Sequence, residues 1–224
     1  MARSSSQSIT LPGERDLDPL RPVPSGLDTL VAAVHGVVSQ HANWHQTARL
    51  VAAELDRHLP TSDVLSPEQR IGHSDGYRSH LLYTESGGAF SIVALVWRPG
   101  QVTAIHDHVT WCVFGVIQGE EHEELFELDE KRGCLIRAGA QTNREGDVSG
   151  FAPPGDIHRV RNVGTDTAIS LHIYGTDVSR IGSGSLQDGR RDSICRGGRR
   201  DLAGGRATDA VGDQGDVGRH EAGV

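Results

Sequence analysis

Two histidines separated by one residue, His106 and His108, are followed fifty residues later by a third, His158. Side chains alternate along an extended strand, so His106 and His108 are expected on one side, two imidazoles together, as a divalent ion needs. The run Val113, Phe114, Val116, Ile117 that comes next favours a buried sheet over a helix. His158 lies within Pro153-Pro-Gly-Asp-Ile-His158-Arg-Val-Arg-Asn162. Three neutral imidazoles with no carboxylate in the set leave open positions on one face of an ion, and imidazole suits Fe(II), Zn, Cu and Ni alike. Asp107 is expected to point the other way, orienting an imidazole rather than ligating. Ser170, His172 and Tyr174 alternate on a late strand, placing a hydroxyl, an imidazole and a phenol on one face. Such a row can act as a hydrogen-bonded relay that holds a substrate or tunes a bound oxygen species.

The elements that must position these groups are set by periodicity. Residues 1–22 are polar, contain proline and lack any period, which predicts a flexible arm. Residues 23–75 are read as N-terminal helices that pack on the barrel formed by the strands beyond them. Leu27, Leu30, Val31, Val34, Val37 and Val38 recur at helical spacing after a candidate cap at Ser25. A second helix is predicted from Asn43 to His58, with Trp44, Leu50, Val51 and Leu55 on its apolar stripe. A further helical turn is predicted at Ser66. From residue 76 to 180 the pattern changes to short strands, near 77–83, 89–97, 111–118, 122–129, 133–138, 148–152, 157–163 and 167–174, punctuated by Gly and Pro. That spacing predicts an all-β sandwich or barrel. Residues 181–224 are rich in Gly, Arg, Asp and Ser without an aromatic residue, and are expected to be a disordered tail.

Composition narrows the function. A net charge of -8 argues against nucleic acid and anionic membrane as partners. No apolar run is long enough for a membrane span, and the N-terminus lacks the apolar segment of a secretory signal. Cys112, Cys134 and Cys195 show no repeated spacing, so no disulfide framework is expected; the default for Cys112 and Cys134 is a small buried thiol, and the reading is cytoplasmic. His122, among Glu120, Glu121, Glu123 and Glu124, reads as a solvated face.

The motifs carry a resemblance. Gly100 before His106-X-His108, with Gly119 beyond, resembles the first cupin motif, and Pro153-X-Gly155-X-X-His158-X-X-X-Asn162 resembles the second. Where the usual first motif has a glutamate ligand this chain has Cys112. With Ser170-X-His172-X-Tyr174, the set is similar to the thiol dioxygenases, meaning cysteine dioxygenase and bacterial relatives such as 3-mercaptopropionate dioxygenase, over roughly residues 25–180. The resemblance implies a mainly β cupin double-stranded β-helix (jelly-roll barrel) preceded by two or three α-helices. It implies non-haem Fe(II) held by His106, His108 and His158, with a small thiol oxidised by O2 to a sulfinic acid. Ser170, His172 and Tyr174 would be the outer-sphere triad, and Cys112, one residue earlier than in the animal enzymes, the candidate for a covalent link to Tyr174. Trp111 and Val113 would keep the pocket dry. In the substrate-binding strand the family's arginine falls on Ser79, leaving Arg78 and Arg180 as candidate carboxylate clamps. A monomer or weak homodimer is implied. The alternative is a non-catalytic metal-binding cupin or small-ligand sensor.

Overall fold

The computed structural model describes residue 24, residues 26–180 and residues 194 and 195. Two α-helices open the chain, α1 (Asp28–Val38) and α2 (Trp44–Arg57). The Ser25 cap lies outside the described residues; α1 starts after Leu27 with no side-chain cap. At α2 the Asn43 side chain accepts the Gln46 N–H, so the polar residue ahead of the apolar stripe fixes where the helix begins. Trp44, assigned to that stripe, is instead 48% exposed, because the buried face runs through Thr47, Ala48, Val51 and Leu55. In place of a third α-helix there is a short 3₁₀ turn at Ser62–Val64.

Eight strands complete the order: β1 (Arg78–Thr84), β2 (Ser91–Trp97), β3 (Cys112–Gln118), β4 (Glu120–Asp129), β5 (Cys134–Arg144), β6 (Val148–Phe151), β7 (His158–Arg161) and β8 (Ala168–Tyr174). They form two antiparallel sheets, one ordered β1-β2-β8-β3-β6 and the other β5-β4-β7. This is the mainly β cupin barrel, with β3 and β4 carrying the chain between the sheets. The crossing uses Gly119, whose φ of 74° is strained for other residues and where a Cβ would press on the Ala168 backbone at 3.1 Å.

Period two divides the five-stranded sheet into an outer and an inner face. Ile92, Ala94 and Val96 of β2, Val113 of β3, and Ile169, Leu171 and Ile173 of β8 join Leu30, Val34, Val51 and Leu55 in one core beneath the helices. At Gly115 an added Cβ would collide with Leu59 and press on Leu55, so glycine lets α2 approach the sheet closely. Leu55 is fully buried, and Leu55→Ala would cost about 2–5 kcal/mol. The inner face carries Val93, Leu95 and Trp97, packed with Tyr77, Leu81, Val160 and Tyr174.

Part of the C-terminal expectation is corrected. Ile194 forms a parallel bridge with Leu135, the Cys195 N–H donates to the Leu135 carbonyl at 2.8 Å, and Cys195 is disulfide-bonded to Cys134. The residues were expected to stay unpaired because their spacing is irregular; the bridge to β5 brings them together. The flexible-arm reading of 1–22 and the disordered-tail reading of the remainder of 181–224 fall outside the described residues. No helix among the described residues is long and apolar enough to cross a membrane.

Candidate metal centre

His106 and His108 lie on the segment between β2 and β3, expected to be a regular strand. It makes only two isolated bridges to β7, Val102 with Arg161 and His106 with His158. The cause is local. The backbone N–H of His108 donates to the Asp156 carboxylate at 2.9 Å, which satisfies it without a strand partner. His106 and His158 each donate a backbone N–H to the other's carbonyl at 2.9 Å, and this locks the two histidines side by side.

The three side chains do converge. Their ligand-capable nitrogens all lie within 4.8 Å of one another, and the Nε2 atoms of His106 and His158 are 3.2 Å apart. Each ring is held from behind through Nδ1. His106 faces the Ala104 carbonyl at 3.0 Å, His108 the Asp156 carboxylate at 3.0 Å, and His158 the Glu123 carboxylate at 2.6 Å. An Nδ1–H donated to those acceptors leaves the Nε2 lone pair for an ion. Burial, then the neighbouring imidazoles, pushes His106 down to about 3; burial also lowers His108. Both rings are therefore neutral, the form that ligates. Three clustered imidazoles without a carboxylate in the set fit a borderline divalent transition ion, Fe(II) among them.

Asp156 and Glu123 were not singled out from the sequence. Burial raises the Asp156 carboxyl, but the hydrogen bonds from His108 outweigh it and hold the group ionised. Glu123 behaves alike: burial opposes ionisation, while His158, Gln141 and Asn143 restore it. The solvated-face reading of β4 is thus wrong. Glu121, Glu123 and Glu124 are all buried. Glu123 turns inward to His158, and Glu124 turns outward, gripped by Arg137, Arg159 and Arg161. The same period-two rule that paired the histidines would have placed Glu121 and Glu123 together inside the barrel. Asp107 contributes only a minor charge effect at His108, where Asp156 holds the ring.

Ser170, His172 and Tyr174 share the inner face of β8, opposite Val116, Phe114 and Cys112 of β3. Ser170 Oγ lies 3.0 Å from His172 Nε2 and accepts the Trp97 indole N–H at 3.3 Å. The other His172 nitrogen is 4.0 Å from Cys112 Sγ. Burial, with the surrounding imidazoles, takes His172 down to about 3. The Tyr174 phenol is driven well above its usual range by burial, then by Cys112, and burial raises the Cys112 thiol likewise. Tyr174 is the register partner of Cys112, and its ring centroid is 6.1 Å from that of His108. The triad therefore adjoins the histidine cluster.

Other expected residues lie elsewhere. Arg78 pairs with Val96 and so shares the outer, helix-facing side; the bulge in β1 falls between Leu81 and Tyr83, too late to turn it inward. Its neighbour Ser79 pairs with inward Leu95. Arg180 is exposed and bonded to Asp177 at 2.9 Å. Val113 and Trp111 belong to the helix-side core, so they do not dry the site. The apolar rings that stand beside the histidines are Phe151, whose ring lies 4.8 Å from His108 and 5.1 Å from His158, and Phe114, stacked on His172 at 5.5 Å. Asn162 braces a loop, donating to the Trp97 and Asp166 carbonyls.

Comparison with known proteins decides the family. Residues 66–183, just over half of the chain, match the family described as cysteine dioxygenase type I. The chain belongs to that family. Over 124 residues it is 30% identical to cysteine dioxygenase type 1 of Rattus norvegicus, a match that takes in 54% of this chain and 62% of that one. The chain thus spans less than two thirds of that relative. The Danio rerio enzyme is 26% identical over 158 residues, covering 67% of this chain and 75% of that one. Among solved structures, a double-stranded β-helix protein from Klebsiella pneumoniae covers 50% of this chain and 89% of its own at a TM-score of 0.39 and 17% identity.

Proposed function

We propose that this cysteine dioxygenase family member is a non-haem iron thiol dioxygenase that oxidises a small thiol, cysteine or a mercapto-carboxylate, to its sulfinic acid with O2. The observation that carries this is the set of three imidazoles, each held through Nδ1 and converging through Nε2 beside the Ser170, His172 and Tyr174 face. In the balanced reaction R–SH and O2 give R–SO2H: sulfur is oxidised, O2 is fully reduced, and both oxygen atoms end on sulfur. Fe(II) held by His106, His108 and His158 would supply open, redox-active positions where thiolate and O2 meet.

The chain's own residues do the rest. Asp156 and Glu123 keep the ligand rings oriented and basic. Phe114 and Phe151 exclude water. Tyr174 keeps its proton at neutral pH and donates a hydrogen bond to the substrate or to oxygen, with Ser170 and His172 behind it. Arg180 is the arginine proposed for a substrate carboxylate, in exchange for its exposed pair with Asp177. The reading includes a cytoplasmic monomer or weak homodimer.

The test is oxygen uptake by Fe(II)-loaded protein offered cysteine, 3-mercaptopropionate, mercaptosuccinate and cysteamine in turn. Uptake with at least one thiol, abolished by His158→Ala, is expected. Arg180→Ala should raise KM for the carboxylate-bearing thiols and leave cysteamine unaffected. Stoichiometric iron without uptake from any thiol would overturn the proposal in favour of a metal-binding cupin.

A further inference from the structure

Glu124 is buried on the outward side of β4, and three guanidiniums close on its carboxylate from the two neighbouring strands. Arg137 of β5 pairs with Oε1. From β7, Arg159 donates to Oε2 through Nε at 2.6 Å, and Arg161 donates to the same oxygen at 2.8 Å. One negative charge thus meets three positive ones, an excess of two, in a chain whose net charge is -8. The other acids of β4 do not supply the difference. Glu121 is buried, Glu123 turns inward to His158, Glu120 lies 4.0 Å from Arg144, and Glu127 alternates to the opposite face from Glu124.

The hydrogen bonds are as unbalanced as the charge. Each guanidinium carries five N–H donors in a fixed fork, and the three share a single carboxylate. Among the described residues none of them has a second acceptor, and Arg161 Nε is buried without any partner, which costs free energy unless something supplies one. The charge is nonetheless open to solvent: the Arg137, Arg159 and Arg161 side chains are 56%, 26% and 39% exposed, against 2% for Glu124. Arg159 is steadied from below, its guanidinium carbon 5.9 Å from the centre of the Phe126 ring. A purely structural ion pair needs one arginine, not three.

We propose that this face binds a small doubly charged oxyanion of the phosphate or sulfate type, with Arg137 and Arg161 as its ligands on either side of Glu124. Glu124 holds the three forks in place, and the incoming anion balances the charge that it leaves over. Guanidinium forks match the oxygen spacing of such an anion in bidentate fashion. The excess is two and is confined to three side chains, which fits one dianion rather than a long polyanion. Nothing in this face depends on the metal centre, because alternation puts His158 on the other side of β7 from Arg159 and Arg161.

The test is calorimetric titration of the full chain with inorganic phosphate at low ionic strength. One saturable site is expected in the metal-free chain, retained after loading with Zn(II) and displaced by sulfate. Arg137→Gln and Arg161→Gln should each weaken it by about tenfold or more. Arg132→Gln removes the same charge from the turn between β4 and β5, where Arg132 faces Asp129, and should leave binding unchanged. Glu124→Gln should tighten binding, and phosphate should raise its thermal stability more than that of the unmodified chain, because the anion replaces the lost charge. A network that is only structural would lose stability without that rescue. The two arginine variants carry the test if Glu124→Gln does not fold. Absence of saturable binding, a site that appears only with the metal, or an equal loss in Arg132→Gln would overturn the proposal. So would an acidic peptide such as hexaglutamate binding where phosphate does not. No readout depends on turnover, so failure here is distinct from failure of the thiol dioxygenase reading.

Discussion

Replacing Asp156 with asparagine isolates what holds the metal ligands in place. One carboxylate oxygen of Asp156 accepts from both the backbone N–H and the ring of His108, at 2.9 and 3.0 Å, with its side chain almost wholly buried. Hydrogen bonds to a charged group contribute about 1.5–3 kcal/mol each, against about 0.5–1.5 kcal/mol for neutral ones. The amide oxygen of the introduced asparagine could keep one of the two bonds, without charge, and its NH2 group would face the ring. His108 then loses its charged acceptor, and with it the fixed tautomer and added basicity. Removing the group that orients a metal-binding imidazole lowers metal affinity by about 10–100-fold, equivalent to roughly 1.4–2.7 kcal/mol. Anaerobic competition for Fe(II) against a chelator measures this, with circular dichroism confirming the fold. Asp107→Asn is the paired control, because Asp107 is the weakest of the charges acting on His108. Comparable losses in both variants, or unchanged affinity in a folded Asp156→Asn, would refute the assignment of Asp156 as the group that orients His108.

Acid stability is governed by opposed buried groups. His106 and His172, at about 3 in the fold against 6.5 as ordinary histidines, add stability that is complete above 6.5 and lost as pH falls. Glu121, raised to about 7 from 4.5, works the other way: its contribution is complete below 4.5 and lost as pH rises through 7. Between 4.5 and 6.5 these three groups together take up roughly one proton on unfolding of the metal-free chain, which lowers stability by about 1.4 kcal/mol per pH unit of acidification. His108, also lowered, acts in the same direction, and Glu121→Gln should steepen the fall by about one further proton in urea titrations. Cys112, fully buried with its thiol pushed up, should resist iodoacetamide until the chain is unfolded; resistance after unfolding with a mass lower by two hydrogens would mean that it is joined to Tyr174. Reduction of the Cys134–Cys195 bond should lower thermal stability by freeing the segment docked on β5, while Fe(II) affinity is unchanged. A fall in affinity on reduction would tie the disulfide to the site.

What could be read in the sequence was what alternation within one strand determines. Ser170, His172 and Tyr174 share a face because they are two apart. His106 and His108 were expected as a pair with His158 joining them; the three do meet, though His106 reaches His158 through an isolated antiparallel bridge rather than from a regular strand. What stayed hidden depends on partners distant in sequence. Glu123 is buried because His158, Gln141 and Asn143 meet it across two strands, and a run of acids gives no local sign of that. Cys134 and Cys195 meet only because Ile194 lies beside Leu135. The face of Arg78 was decided by where the β1 bulge falls, and no composition rule reports that.

The central claim is that His106, His108 and His158 form an iron site that places both atoms of O2 on a thiol sulfur. Turnover of the Fe(II)-loaded chain under isotopically labelled O2, with mass analysis of the product, tests it most directly. The account predicts a sulfinate carrying two labelled oxygens, formed in step with O2 consumed and absent in His158→Ala. A disulfide with peroxide, a product labelled from water, or equal turnover in His158→Ala would contradict it.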